Sequence, residues 1–179
     1  MMQRPVISSI ITGLLLAALP GIAASALELP TRKAGLWELK MLRAGSAAPE
    51  MMMQQCTDEG TDKQMTATFS PMAKQNCSKN ETLQTPAGYT TDSVCSFNGT
   101  TMTSHSDITG DFNSAYAVKV TSHNDKPMAG VPGDSSMTLQ AKWLGPCSAD
   151  QRPGDIVMPG GFRLNIKDME KMKGLLPTK

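Results

Sequence analysis

Hydrophobic residues recur at every second position over much of the chain, the period of a strand with one face turned to a core. The clearest case runs from Tyr89 to Cys147. Tyr89, Thr91, Ser93, Cys95 and Phe97 share one side of a strand, and Asn98-Gly99 supplies the two left-handed residues of a type I′ hairpin. That two-residue turn sets Phe97 opposite Thr100, Cys95 opposite Met102 and Tyr89 opposite Ile108. A second turn is expected at Thr109-Gly110-Asp111. A three-residue loop there pairs Ile108 with Phe112 and Met102 with Val118, keeping Phe112, Tyr116, Val118 and Val120 on the core side.

His123 to Asp134 has no period and contains Pro127 and Pro132, so it reads as a long surface loop. Ser136 to Leu144 alternates again, with Met137, Leu139, Ala141 and Trp143 inward, and Gly145-Pro146 ends it. Upstream, Gly35 to Arg43 alternates with Trp37, Leu39 and Met41 on one side. Gly45 to Pro49 breaks that strand, and Glu50 to Cys56 returns. Between Thr57 and Phe69 the pattern changes. Asp58 and Glu59 favour a helix start, Thr61 and Gln64 resemble a capping box, and Met65 and Phe69 lie at i and i+4. A short helix is predicted over about 61–69, ended by Ser70-Pro71. A further strand is expected at Glu81–Thr85 before Pro86-Ala87-Gly88 turns the chain. After Cys147, Ser148 to Gly161 reads as extended coil. Asn165 is placed to cap a last helix with Ile166, Met169 and Met172 on one side and Gly174 as its stop, followed by a loose Pro177-Thr178-Lys179 end.

The first residues change the picture. Arg4, an apolar run from Val6 to Leu19 and Ala24-Ser25-Ala26 have the form of a secretory signal peptide over 1–26, with cleavage after Ala26. The run is too short to span a bilayer, so no stable membrane insertion is expected. The organisation predicted is therefore signal peptide 1–26, a β-rich domain 27–147 and a C-terminal tail with a short helix 148–179. Of 17 basic and 16 acidic residues, loss of Arg4 leaves 16 against 16. A neutral chain gives no electrostatic reason to bind nucleic acid or an anionic surface.

Cys56, Cys77, Cys95 and Cys147 make an even set in an exported chain, which points to two disulfides. Three pairings are open. The preferred one joins Cys56 to Cys77 around a local loop and Cys95 to Cys147 across the meander.

Gly35-Leu36-Trp37-Glu38, Gln55-Cys56, Thr109-Gly110-Asp111-Phe112 and Leu144-Gly145-Pro146-Cys147 together resemble the bacterial family known as domain of unknown function 3617, over about Ala34 to Cys147. The family more usually has an acid where Pro146 stands. The resemblance implies a periplasmic location and no assigned activity.

Candidate chemistry is sparse. There are 14 methionines, two of them (Met1 and Met2) ahead of residue 26. Thioethers suit Cu(I), and His105 and His123 would add to such a site. Against that, neighbouring Met51 and Met52 point to opposite faces and no compact methionine spacing recurs, so the excess reads as core filler. No G-x-S-x-G or H-E-x-x-H is present. His105 lies on an outward face beside Asp107, a common surface pair. No catalytic residue, cofactor or metal is therefore expected. Asn76, Asn80 and Asn98 open glycosylation-type tripeptides, which mean little in a bacterial chain.

The fold expected is mostly β: a curved antiparallel meander of roughly six to eight strands, half-barrel or sandwich-like, with one or two short helices and two disulfides. The function expected is a non-catalytic binding or interaction module of the envelope, holding a small apolar ligand or an envelope protein with the concave face and the His123 to Asp134 loop. The alternative is a methionine-based copper carrier.

Overall fold

The computed structural model describes residues 27–44, 50–126 and 133–173, with the side chains of 67–74 and 170–173 excepted. The predicted signal segment and its cleavage site, the break at Gly45–Pro49, the centre of the 123–134 loop, the Gly174 stop and the last three residues lie outside these. So do the side chains of Phe69 and Met172.

Among the described residues nine strands form one antiparallel sheet: β1 (Gly35–Arg43), β2 (Met51–Thr57), β3 (Cys77–Thr85), β4 (Gly88–Phe97), β5 (Thr100–Asp111), β6 (Ala115–Asn124), β7 (Asp134–Gly145), β8 (Asp155–Val157) and β9 (Arg163–Asn165). Their order is β3-β4-β5-β6-β7-β1-β2-β8-β9. Two helices complete it, α1 (Glu59–Asn76) between β2 and β3, and α2 (Ile166–Lys173) after β9. Among the described residues no helix is long and apolar enough to cross a membrane.

The first hairpin has the expected register, with Phe97 opposite Thr100, Cys95 opposite Met102 and Tyr89 opposite Ile108. Asn98 (φ 50°) and Gly99 (φ 78°) take the left-handed conformations its turn requires. The second turn is also three residues long but sits later. β5 continues through Asp111, which pairs with Ala115, so Phe112-Asn113-Ser114 forms the loop and Ile108 meets Val118 rather than Phe112. Asp111 fixes this position: its carboxylate accepts the Asn113 N–H (2.9 Å) and the Ser114 hydroxyl (2.9 Å). The slip leaves the faces unchanged, because both registers pair even-numbered residues with even-numbered ones. The loop read from His123 to Asp134 is shorter at both ends: β6 runs to Asn124, and His123 pairs with Asp134 of β7.

The helix differs most from expectation. Its cap is Asp58, whose carboxylate accepts the Thr61 N–H (2.7 Å) while the Thr61 hydroxyl accepts the Asp58 N–H (2.9 Å), so Thr61 closes the box rather than opening it. The Thr61 N–H first, and then the Thr61 hydroxyl, which also donates to the carboxylate (2.7 Å), hold the Asp58 carboxyl below its ordinary range. The helix passes through Ser70-Pro71 and leads directly into β3. Tethering at both ends, by the cap and by the disulfide at Cys77, overrides the local break.

Helix α1 runs from the end of β2 that lies beside Gly35 to the far end of β3, which lies beside Cys95, and it contacts β2, β3 and β4. Eighteen helical residues span about 27 Å. On a flat sheet those corners would be about 40 Å apart. The sheet is therefore coiled about the helix, and the face it wraps is called the inner face below.

The disulfide pairing is the reverse of that preferred from sequence. Cys56 joins Cys147 and Cys77 joins Cys95. The cause is topological: β1 lies between β7 and β2, which brings the exit of β7 to the end of β2, while α1 carries Cys77 away from Cys56 to the opposite edge. Nor is 148–161 wholly coil, since β8 pairs with β2 and with β9. Asn165 caps α2 as expected, accepting the Lys167 N–H (2.9 Å).

The core is small: Trp37, Leu39 and Ala141 are buried together, with Met53, Tyr116, Leu139 and Trp143 packed around them, and Ile108 is buried further along. Phe97, expected inward, is 37% exposed at the strand end.

Candidate functional site

Pairing registers assign every sheet residue to a face. From β3 to β7 the inner face carries Asn80, Thr82 and Gln84; Tyr89, Thr91 and Ser93; Met102, Ser104, Ser106 and Ile108; Tyr116, Val118, Val120 and Ser122; and Ser135, Met137, Leu139 and Ala141. None of these is charged. The opposite face of the same strands carries Lys79, Glu81, Asp92, His105, Asp107, Lys119, His123, Asp134 and Lys142. The segregation is complete over five strands.

Two chemistries divide the inner face. Near the Gly35 end an aromatic row crosses the strands: Trp37 to Tyr116 (5.7 Å between ring centres), Tyr116 stacked on Phe112 (4.7 Å), and Phe112 edge-on to Tyr89 (6.3 Å). Tyr89, Phe112 and Tyr116 are half-buried. Burial raises the Tyr116 phenol above its ordinary range. Further along β3 to β7, hydroxyls pair across strands: Thr82 with Thr91 (2.9 Å), Ser93 with Ser104 (2.7 Å) and Ser122 with Ser135 (2.7 Å). A half-buried surface of rings, thioethers and mutually satisfied hydroxyls offers contact to an uncharged amphiphile and no group poised for proton transfer.

One charged pair closes the Gly35 end. Arg32 donates from Nε (2.6 Å) and from its backbone N–H (2.9 Å) to the two carboxylate oxygens of Asp62, and both side chains are about nine-tenths buried. The guanidinium lies over the Trp37 ring at 5.9 Å. Sequence reasoning missed both partners, since nothing local in the chain links Arg32 to Asp62. The segment before β1 is held further by the two indoles, with Trp37 Nε1 donating to the Lys33 carbonyl (2.8 Å) and Trp143 Nε1 to that of Ala34 (3.1 Å). The short motifs that suggested a family thus meet at one end of the sheet and serve its closure.

On the outer face His105 is clamped. Asp92 accepts at Nδ1 (2.7 Å) and Asp107 lies at Nε2 (3.3 Å), which together raise the imidazole above its ordinary 6.5. With both nitrogens facing carboxylates, neither is left as a general base. His123 bonds Asp134 (2.7 Å) on the same face and stands diagonal to His105, which pairs with Thr121 two residues away on β6. Among the described residues no group of three or more His, Cys, Asp or Glu is arranged to hold a metal ion. The outer face also has a hollow of about 430 Å³ where Gly110, Ala115 and Ala117 leave a gap between Lys40, Gln140 and Lys142. It arises from missing side-chain bulk, and Glu38 and Thr109 complete its polar rim.

The four cysteines expected as a set are all bridged and stand at the margins of this surface, Cys77–Cys95 beside the hydroxyl stretch and Cys56–Cys147 at the closed end. No curated protein and no solved structure matches the chain. A family model described as "Protein of unknown function (DUF3617)" matches residues 32–147, well over half the chain and all of its main sheet from β1 to β7. The chain belongs to that family, the domain of unknown function 3617 proteins.

Proposed function

We propose that this protein is a non-catalytic binding module of the periplasm that holds an uncharged, largely apolar molecule on the inner face of its sheet. The observation that carries the reading is the exclusion of charge from that face across five strands whose other face is richly charged. A merely structural face of this size would be expected to bury its apolar residues, yet Val118, Val120, Met102, Met137 and Leu139 remain half-buried beside hydroxyls. Export is supported by the signal-like first 26 residues and by two disulfides, which persist in oxidising compartments.

The test is native mass spectrometry of the oxidised protein with a neutral amphiphile such as monoolein, beside osmotic-shock fractionation of the producing cell. The reading expects a one-to-one adduct, weakened by Tyr89→Ala and Phe112→Ala, and recovery in the periplasmic fraction. Absence of any adduct at millimolar amphiphile, or recovery in the cytosol with reduced cysteines, contradicts it.

A further inference from the structure

The inner face has a second corner, at the end of β1 and β2 away from Gly35. Met41 of β1 stands directly opposite Met51 of β2, and Leu39 opposite Met53, so Met41, Met51 and Met53 share the inner face while Met52 points to the other side. On the far side of β2, Gln54 pairs with Val157 and Gln55 with Ile156. Met158 follows in extended conformation (φ −86°, ψ 164°), so the same register carried one step on sets it beside Met53 on the face that Ile156 occupies. Two adjacent strands and the exit of a third thus bring four thioethers to one corner. Directly opposed side chains on one face have β-carbons about 5 Å apart, within which unbranched thioethers can converge.

We propose that Met41, Met51, Met53 and Met158 form a site for a soft monovalent metal ion, Cu(I) or its analogue Ag(I). Thioether sulfur is a soft, neutral donor that discriminates for such ions against hard or divalent ones. The corner is open to entry, since Met51 is 40% exposed while Met41, Met53 and Met158 are half-buried. Arg43, the nearest cation on the same face, is itself exposed and screened by solvent. Consecutive methionines in sequence hid this arrangement: the pair that matters is Met51 with Met53, completed by a residue from each neighbouring strand. The site adjoins the amphiphile surface, since Met41 pairs with Leu139, but metal and amphiphile binding are read separately, so either proposal can fail alone.

The experiment titrates the full oxidised protein, without its first 26 residues, anaerobically with Cu(I) against a competing chelator and with Ag(I) by methionine-methyl NMR. One equivalent is expected to bind more tightly than micromolar and to move the methyl signals of these four residues, with Cu(II) causing no change. Met51→Leu with Met53→Leu, a nearly volume-conserving change, should weaken binding roughly tenfold or more while Met102→Leu with Met169→Leu leaves it intact. Binding no tighter than micromolar, binding that survives the first double variant, or shifts at other methionines would overturn the proposal.

Discussion

A β-carbon added to Gly35 would lie 2.3 Å from the carbonyl oxygen of Gly145 and 2.6 Å from Nε1 of Trp143. Gly35 also has a φ of +133°, which side chains rarely adopt. Backbone strain and collision with a neighbouring main chain act together here, so Gly35→Ala should destabilise by about 3 kcal/mol. Chemical denaturation followed by Trp fluorescence measures this. A change below the usual surface range would show that β1 and β7 are not so closely apposed.

The Arg32–Asp62 pair is buried, and removing one partner leaves the other charge without compensation. Asp62→Ala is expected to cost about 3 to 5 kcal/mol, more than Asp62→Ala in an Arg32→Met background. A double-mutant cycle in urea tests the coupling.

His105 gives the pH dependence a sign. Its folded-state pKa is raised, chiefly by Asp92 and then Asp107, so its contribution to stability is fully present below the ordinary value of 6.5. It is lost as the pH rises through the higher folded value. NMR titration of the ring should place His105 above 6.5 and Asp92→Asn should move it down. A His105 titrating at or below 6.5 in the native protein would contradict the clamp.

Sequence separation distinguishes the two disulfides, 91 residues for Cys56–Cys147 and 18 for Cys77–Cys95. Loop-closure entropy makes the first worth roughly 4 to 5 kcal/mol and the second about 3. Cys56→Ser with Cys147→Ser should therefore lower the melting temperature more than Cys77→Ser with Cys95→Ser. The reverse order would locate the stabilising closure in the β3–β4 hairpin.

Local signals in the chain reached the strands and their faces but not their neighbours. Asn98-Gly99 determined a register that the structure keeps residue for residue, because a two-residue turn leaves no freedom. The next hairpin slipped because Gly110 looked like a turn residue. It is instead a strand residue against which a β-carbon would meet the Ala115 carbonyl, and Asp111 makes the turn. That β1 enters between β7 and β2, and that α1 crosses the sheet, depend on long-range packing with no local mark. The disulfide pairing inherited that error. One signal was available: Cys77 and Cys95 are nearly equidistant from Pro86-Ala87, and a hairpin turning there sets them face to face. The uncharged face was visible once alternation was known, whereas Arg32 and Asp62 were not, since neither residue announces its partner.

Two substitutions on adjacent residues of β5 test the inner-face account most directly. Ser106 lies on the uncharged side and Asp107 on the charged side of the same strand. Monoolein binding to Ser106→Arg and Asp107→Arg, each checked for an intact cooperative melt, should be abolished in the first and unchanged in the second. Equal loss in both, or binding that survives Ser106→Arg, would contradict the account.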